Sequence, residues 1–292
     1  MSTPEAAVNT APPTLREMAQ IAIGLTVVCL IASIILGGFY LWTEPAKEHN
    51  VAAREQLLIR QLLALSDAAE VGEVRRYLLW RGTNLEVFYL GESRLVQLDA
   101  VGNVIATHDV PPETATGGDA DAWVASVAEP SEEQELRYVG RFFTGREKGV
   151  DAGFVIEGKS IGFKTWIRFF LAIDPDFNLL GIEIIEHEED PGLGDQIAEP
   201  YFKHQFTGRS FDDIATIEVT KDPLPNEWRD ALEALGEAAL DDWLKQNAGN
   251  LAAHPDIHAI TGATISSVAV ADGVKRALAN FRKRMELVEA HL

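Results

Sequence analysis

The hydrophobic pattern begins with an uninterrupted apolar run. No charged residue lies between Ile21 and Trp42, and about 22 residues of helix reach roughly 33 Å, enough to cross a bilayer. Phe39, Tyr40 and Trp42 gather at one end, where aromatic rings favour the lipid–water boundary. Beyond the run, Pro45 opens a helical stretch in which Leu57, Leu58, Leu62 and Leu65 recur at helical spacing. Residues 77–110 change to strand patterns: Leu85–Leu90 and Leu95–Leu98 are short apolar runs, and Gly102-Asn103 marks a turn. Pro, Thr and Gly predict a loop from Pro111 to about Asp121. Residues 163–173 and 179–186 predict two strands, joined by the hairpin loop Asp174-Pro175-Asp176-Phe177-Asn178. A helix is predicted over Glu227–Gln246, capped by Asn226, with Trp228, Leu232, Leu235, Ala239 and Trp243 on one face. The last helix is predicted from about Ser267 to Val288, where Ala271, Val274, Leu278, Phe281, Met285 and Val288 step by three or four. Its basic run Arg282-Lys283-Arg284 suits the negative end of a helix dipole. These elements predict an α+β fold, a twisted antiparallel sheet packed by helices, with one N-terminal transmembrane helix.

Composition changes this picture little and charge changes it more. The 292 residues are 47% apolar and 24% charged, ordinary for a globular chain with a sizeable core. Acidic residues outnumber basic ones 45 to 25, a net charge of −20 that repels nucleic acid. The single cysteine, Cys29, lies inside the apolar run, so no disulfide or thiolate cluster can form within one chain. A cleaved signal peptide is the competing reading of that run, but it is long for one, and Phe-Tyr-Leu-Trp-Thr-Glu-Pro offers no small-x-small cleavage site. Residues 1–14 are rich in Ala, Pro and Thr and read as disordered. Glu129, Glu132, Glu133 and Glu135 read most simply as a solvated surface, with docking as the alternative. His187, His204, His254 and His258 do not fall at zinc-ligand spacing. There is no Gly-rich dinucleotide fingerprint, phosphate-loop lysine motif or nucleophile elbow. Trp166, Phe169 and Phe170 read as strand core rather than as ligand contacts.

Candidate chemistry concentrates in two stretches. Residues 260–267 read Ile-Thr-Gly-Ala-Thr-Ile-Ser-Ser. Thr264 offers a hydroxyl that can be esterified, on a side chain whose χ1 is stiff. Thr261, Gly262 and Ala263 precede it, and the last two are too small to block a bulky group. Ser266 and Ser267 stand at the start of the helical pattern, where unpaired backbone N–H groups attract anions, so the octet can seat a phosphate. An ordinary loop ending in a serine cap is the plainer alternative. Residues 187–197 read His-Glu-Glu-Asp-Pro-Gly-Leu-Gly-Asp-Gln-Ile. Here Pro191-Gly192 favours a type II turn, and Gly194 permits another unusual backbone angle.

Together, in this order and about 70 residues apart after one anchor, the two stretches resemble the flavin-binding subunits of membrane electron-transport complexes. These are the G subunit of Rnf complexes and the C subunit of the sodium-translocating NADH:quinone reductase. In that family the second threonine of a Ser/Thr-Gly-Ala-Thr motif carries FMN through a phosphoester bond; the matching residue is Thr264. The segment from His187 resembles the family's His-x-Glu-Thr-Pro-Gly-Leu-Gly loop beside the isoalloxazine ring. His187, Glu189, Pro191, Gly192, Leu193 and Gly194 match, and Asp190 replaces the usual threonine. Gly153-Phe154 and Gln205-Phe206-Thr207-Gly208 agree as well. The resemblance covers residues 150–285 well and 70–140 hardly at all. It implies an N-terminal tail over 1–20, an anchor over 21–43, a membrane-proximal helix and variable region over 44–150, and an FMN-binding domain over 151–292.

The resemblance further implies an electron-carrying subunit, not catalytic alone, of an ion-translocating oxidoreductase. Its partners would be other integral membrane subunits, a flavin transferase during maturation and the lipid bilayer, without nucleic acid. The soluble domain would face the periplasm from the bacterial inner membrane. Glu188, Glu189, Asp190 and Asp195 near the ring would disfavour an anionic flavin. One departure stands out: where the family places an aspartate three residues before the motif's first hydroxyl, this chain has His258, and the nearest aspartate is Asp256. A flavin-binding redox sensor or assembly module, and a structural subunit without its cofactor, remain as other readings.

Overall fold

A computed structural model describes residues 15–115, 120–234, 237–247 and 255–288. The expected disorder of residues 1–14 and the expected burial of Leu235 fall outside the described residues, and the side chain of Trp42 is likewise not described. The chain divides into two compact units, Met1–Glu55 and Gln56–Leu292.

The first unit is helical. Helix α1 is assigned over Leu15–Leu62, and within it Met18–Tyr40 is a 23-residue segment of mean hydropathy 2.5, long and apolar enough to cross a membrane. None of that window is buried by protein, and Cys29 is exposed. Pro45 lies inside α1 instead of opening a new helix.

The second unit is built on an antiparallel sheet. Its strands are β1 (Glu70–Arg81), β2 (Asn84–Leu90), β3 (Arg94–Asp99) and β4 (Val104–Asp109), followed by β5 (Leu136–Glu147), β6 (Val150–Ile161), β7 (Trp166–Ile173) and β8 (Leu179–Glu186). They are ordered β4-β3-β2-β1-β5-β6-β7-β8, so each hydrogen-bonded neighbour but β1–β5 is also a neighbour in sequence. The expected β7–β8 hairpin forms because the Asp174 carboxylate accepts from the amides of Asp176 and Asn178, at 2.9 and 2.8 Å, and from the Asn178 side chain. In the stretch expected to be loop, Pro112–Ala115 forms a short helix, α2, and α3 (Ala120–Ala128) begins at its end. Val124 and Ala128, four apart, are buried against the sheet and give α3 its reason to form.

Side chains alternate between the two faces of the sheet, so each face builds its own core. On one, Phe143, Val155, Phe170 and Ala172 pack with Ile59 and Leu63 from the end of α1. The buried stripe there is Ile59 and Leu63, with Leu62 and Leu65 half-buried beside them, while Leu57 is exposed. On the other face lies α8 (Thr264–Val288), whose stripe of Ala271, Val274, Leu278, Phe281, Met285 and Val288 is fully buried. Phe169 and Phe170 are core residues as expected, but Trp166 is 48% exposed and is not.

Between β8 and α8 the chain makes short pieces: α4 (Pro200–Lys203), α5 (Phe211–Thr216), α6 (Asn226–Ala234), α7 (Glu237–Gln246) and a two-residue pair of β9 (Val219–Thr220) with β10 (Ile257–His258). α5 starts with a capping box, Ser210 and Asp213 each satisfying the other's amide. The single helix expected over Glu227–Gln246 is two, α6 and α7, and Asn226 is the first helical residue, with the Pro225 carbonyl accepting the first amides. Trp228 and Trp243 meet edge to face at 6.1 Å across the pair.

Candidate functional site

The octet folds into a tight turn that delivers Thr264 to the start of α8. The Ala263 amide bonds back to the Ile260 carbonyl at 2.9 Å, closing the turn, and Gly262 takes φ +83°, the left-handed region that glycine enters without strain. The first rung of the helix is the Ser267 amide on the Ala263 carbonyl, 3.1 Å. The amides of Thr264, Ile265 and Ser266 therefore lie ahead of the helical ladder. Ala263, at the capping position, has no side-chain oxygen to satisfy them. A helix of 25 residues thus ends on open donors, with the positive end of its dipole beside the half-buried Thr264 hydroxyl. α8 begins three residues before the expected Ser267, which places Thr264 in its first turn.

The second stretch is folded against that helix end by one buried carboxylate. Glu189, only 5% exposed, accepts from the Phe163 and Lys164 amides, both at 3.2 Å, and from the Ser266 hydroxyl in a very short contact. It ties the β6–β7 turn, the loop and α8 together. The loop turns at Asp190–Leu193, where the Leu193 amide reaches the Asp190 carbonyl at 3.1 Å. The His187 ring accepts the Glu189 amide at 3.4 Å and curls the segment before it. Gly194 is required by space: a Cβ there would stand 2.8 Å from the Glu189 Cβ and 3.1 Å from the Ser266 hydroxyl.

These contacts enclose a cavity of about 360 Å³. Of the residues singled out from sequence, Glu189, Asp190, Leu193, Gly194, Gly262, Ala263, Thr264 and Ser266 line it. Thr261, Ser267, Pro191 and Gly192 are not among its lining residues. Ser267 instead is fully buried, accepting the Ile260 amide and donating to the Ala263 carbonyl, both at 3.0 Å, so it fixes the turn from behind. Two further lining residues, Phe163 and Ile265, were not singled out from sequence. With Leu193 they form an apolar rim that is about half exposed, at 60%, 58% and 46%. Large apolar side chains left in water around a mainly apolar cleft suit a flat, partly apolar ligand.

The acidic charge around the cavity is lower than the sequence suggests. Glu189 is consumed by its three donors, and Asp190 is paired with Lys164 in a very short contact. That carboxylate holds the Lys164 ammonium above its ordinary range. Glu188 faces a different cavity, and Asp195 does not line this one. The expected crowding of four acids on one ligand is therefore reduced to two, both already engaged. His258, on β10, donates its amide to Gln205 at 2.8 Å and sets its ring nitrogen 2.9 Å from the Asp222 carbonyl. The Asp256 carboxylate accepts the Glu218 amide at 3.2 Å.

A helix end open to a phosphate, an esterifiable hydroxyl in its first turn and an apolar rim fit a phosphate-bearing planar cofactor. Residues 162–279 match the family described as FMN-binding domain. This segment is similar to FMN-binding domains. Its bounds take in β7, β8, the Glu189 loop and most of α8, so both faces of the cavity belong to it. The chain is 30% identical over 125 residues to the G subunit of a proton-translocating ferredoxin:NAD(+) oxidoreductase complex from Clostridium ljungdahlii, covering 43% of this chain and 51% of the relative. It is 31% identical over 137 residues to the G subunit of an ion-translocating oxidoreductase complex from Methanosarcina acetivorans, covering 45% and 55%. Against the C subunit of a Na(+)-translocating NADH-quinone reductase from Chlamydia trachomatis it is 31% identical over 124 residues, covering 41% and 37%. The chain thus spans about half the length, or less, of these curated relatives.

Proposed function

We propose that the chain is a membrane-anchored flavoprotein subunit that carries electrons within an Rnf- or Nqr-type ion-translocating oxidoreductase. The observation that carries this reading is Thr264 in the first turn of α8, its hydroxyl beside amides that no side chain caps. FMN supplies one- and two-electron chemistry when bound. The chain's own residues position it. The amides of Thr264, Ile265 and Ser266 neutralise a phosphate, and the Thr264 oxygen holds it as a phosphoester. Phe163, Leu193 and Ile265 shield part of the ring from water. Glu189 keeps the loop and helix at a fixed separation. An ester through the phosphate leaves the ring free for redox chemistry and prevents loss of the cofactor to a dilute compartment.

The relatives support the assembly, since each belongs to an ion-translocating oxidoreductase. The partners on this reading are the integral membrane subunits of such a complex, with a flavin transferase acting in maturation. The Met18–Tyr40 segment anchors the chain in the bilayer, and the flavin domain faces the extracytoplasmic side. The proposed domain bounds remain 1–20, 21–43, 44–150 and 151–292.

Intact-mass measurement of the denatured full chain, co-expressed with a flavin transferase, tests the attachment. The expected increment is one FMN less water, absent from Thr264→Ala and present in Thr264→Ser. An increment that survives Thr264→Ala, or a parent chain that carries none, overturns the assignment.

A further inference from the structure

A second cavity, larger than the first, lies elsewhere in the second unit and has the opposite electrostatic character. It measures about 730 Å³, and of its lining side chains six are Arg or Lys and three are Glu, in a chain of net charge −20. It shares no lining residue with the flavin cavity; consecutive residues Glu188 and Glu189 face one each. Some of its charge is satisfied internally, since Arg141 pairs with Glu157 at 3.0 Å and Arg168 with Glu186 at 2.9 Å. Arg76 and Arg284 are not satisfied in this way: neither has a carboxylate within ion-pair distance among the described residues.

Both residues are half-buried in the cleft. The Nε of Arg76 is buried without a hydrogen-bond partner. Arg284 donates only to the Asn280 carbonyl one turn back, at 3.0 Å. Burial, and then the neighbouring Arg76, push the Arg284 guanidinium down to about 10. Strand geometry keeps Arg76 in place, because β1 and β5 slip register there: Arg76 pairs with Gly140 and Tyr77 with Tyr138, leaving Val139 as the extra residue of a bulge. Two like charges brought together in a partly dry cleft oppose folding unless an anion joins them. Guanidinium forks favour planar or tetrahedral oxyanions that accept two bonds at once. The cavity far exceeds a bare oxyanion and falls in the range of small-molecule sites. Tyr138 and Trp166, about half exposed at 46% and 48%, also line it, with the Lys159 ammonium 5.0 Å from the Trp166 ring centroid.

We propose that this cavity is a second ligand site, for a nucleotide-sized phosphate ester whose phosphate bridges Arg76 and Arg284 and whose aromatic ring packs on Tyr138 and Trp166. The site stands on geometry independent of the flavin reading. Binding adds no covalent step.

Isothermal titration of the full chain in detergent with AMP, inorganic phosphate and adenosine tests it. AMP is expected to bind more tightly than phosphate, and phosphate more tightly than adenosine. Arg76→Gln and Arg284→Gln are each expected to weaken AMP at least about tenfold, while leaving the flavin mass increment unchanged. Arg284→Lys keeps the charge without the fork and is expected to fall between. Because each Gln variant removes one of two neighbouring half-buried charges without a carboxylate partner, its melting temperature without ligand is expected to equal or exceed the parent's, which separates lost binding from lost fold. AMP no tighter than adenosine, or equally tight in the parent and both Gln variants, overturns the proposal. So does an oligoglutamate peptide that binds where AMP does not, which would make the cleft a docking site for a protein.

Discussion

Glu189 shows how much one side chain can settle. It lies in a loop of acids, yet it is buried and accepts from two amides and a hydroxyl on two other elements. Its removal strands the buried Ser266 hydroxyl and two amides of exposed residues, and a buried unpaired donor costs roughly 1–3 kcal/mol. Glu189→Ala is therefore expected to lower unfolding free energy by about 1–3 kcal/mol in urea titration, and Glu189→Gln by less, because its carbonyl oxygen still accepts. A Glu189→Ala chain as stable as the parent would show that water replaces the carboxylate. The sequence marks Thr264 because esterifiable hydroxyl, small neighbours and helix start coincide within a few residues. It gives no sign that Ser266 and Ser267 turn inward, since a serine at a helix start serves equally as cap, ligand or strut. Phe163 and Ile265 were missed for the same reason: an isolated apolar residue beside a turn carries no periodicity until the fold shows that it is exposed.

At the scale of elements, periodicity identified the pieces that bury a continuous stripe. The β7–β8 hairpin follows its pattern because β7 is an apolar run buried on both faces of the sheet, and α8 because it has one apolar stripe with one destination. α3 was hidden in a stretch of turn residues, since of its buried residues Ala120, Val124 and Ala128 only one is larger than alanine. It is also fastened by Tyr77 on β1, whose buried hydroxyl donates to Asp121 at 2.6 Å. Burial first, and the Asp121 contact second, push the Tyr77 phenol above its ordinary range. An unfolded tyrosine ionises near about pH 10. Because the folded value is higher, the stabilisation is complete below that pH and is lost as pH rises toward the folded value. Urea midpoints measured from about pH 9 to 12 are expected to fall more steeply for the parent than for Tyr77→Phe. Parallel slopes would remove Tyr77 from the alkaline transition.

For the whole molecule, the apolar segment Met18–Tyr40 and the acidic balance act on different parts of the chain. The segment has no protein to bury it within its own unit, so water is a poor solvent for it. The full chain is expected to remain in the detergent phase on phase separation, and a chain lacking residues 18–40 to move to the aqueous phase; recovery of both in water would argue against an anchor. The net charge of −20 conceals a cleft of the opposite sign. A sum over the sequence cannot reveal it, because Arg76 and Arg284 are about 200 residues apart in the chain and meet only when α8 lies on the sheet.

The order of residues alone determined the length of the apolar segment, the β7–β8 hairpin, the stripe of α8 and the tight turn that precedes Thr264. Each of these is a local matter, set by side-chain spacing and backbone freedom within a few turns. Tertiary structure decided which acids are occupied, which apolar groups rim the cavity and where positive charge gathers. Those outcomes depend on which distant elements share a surface, and burial and Coulomb energies act between neighbours in space, whatever their separation along the chain.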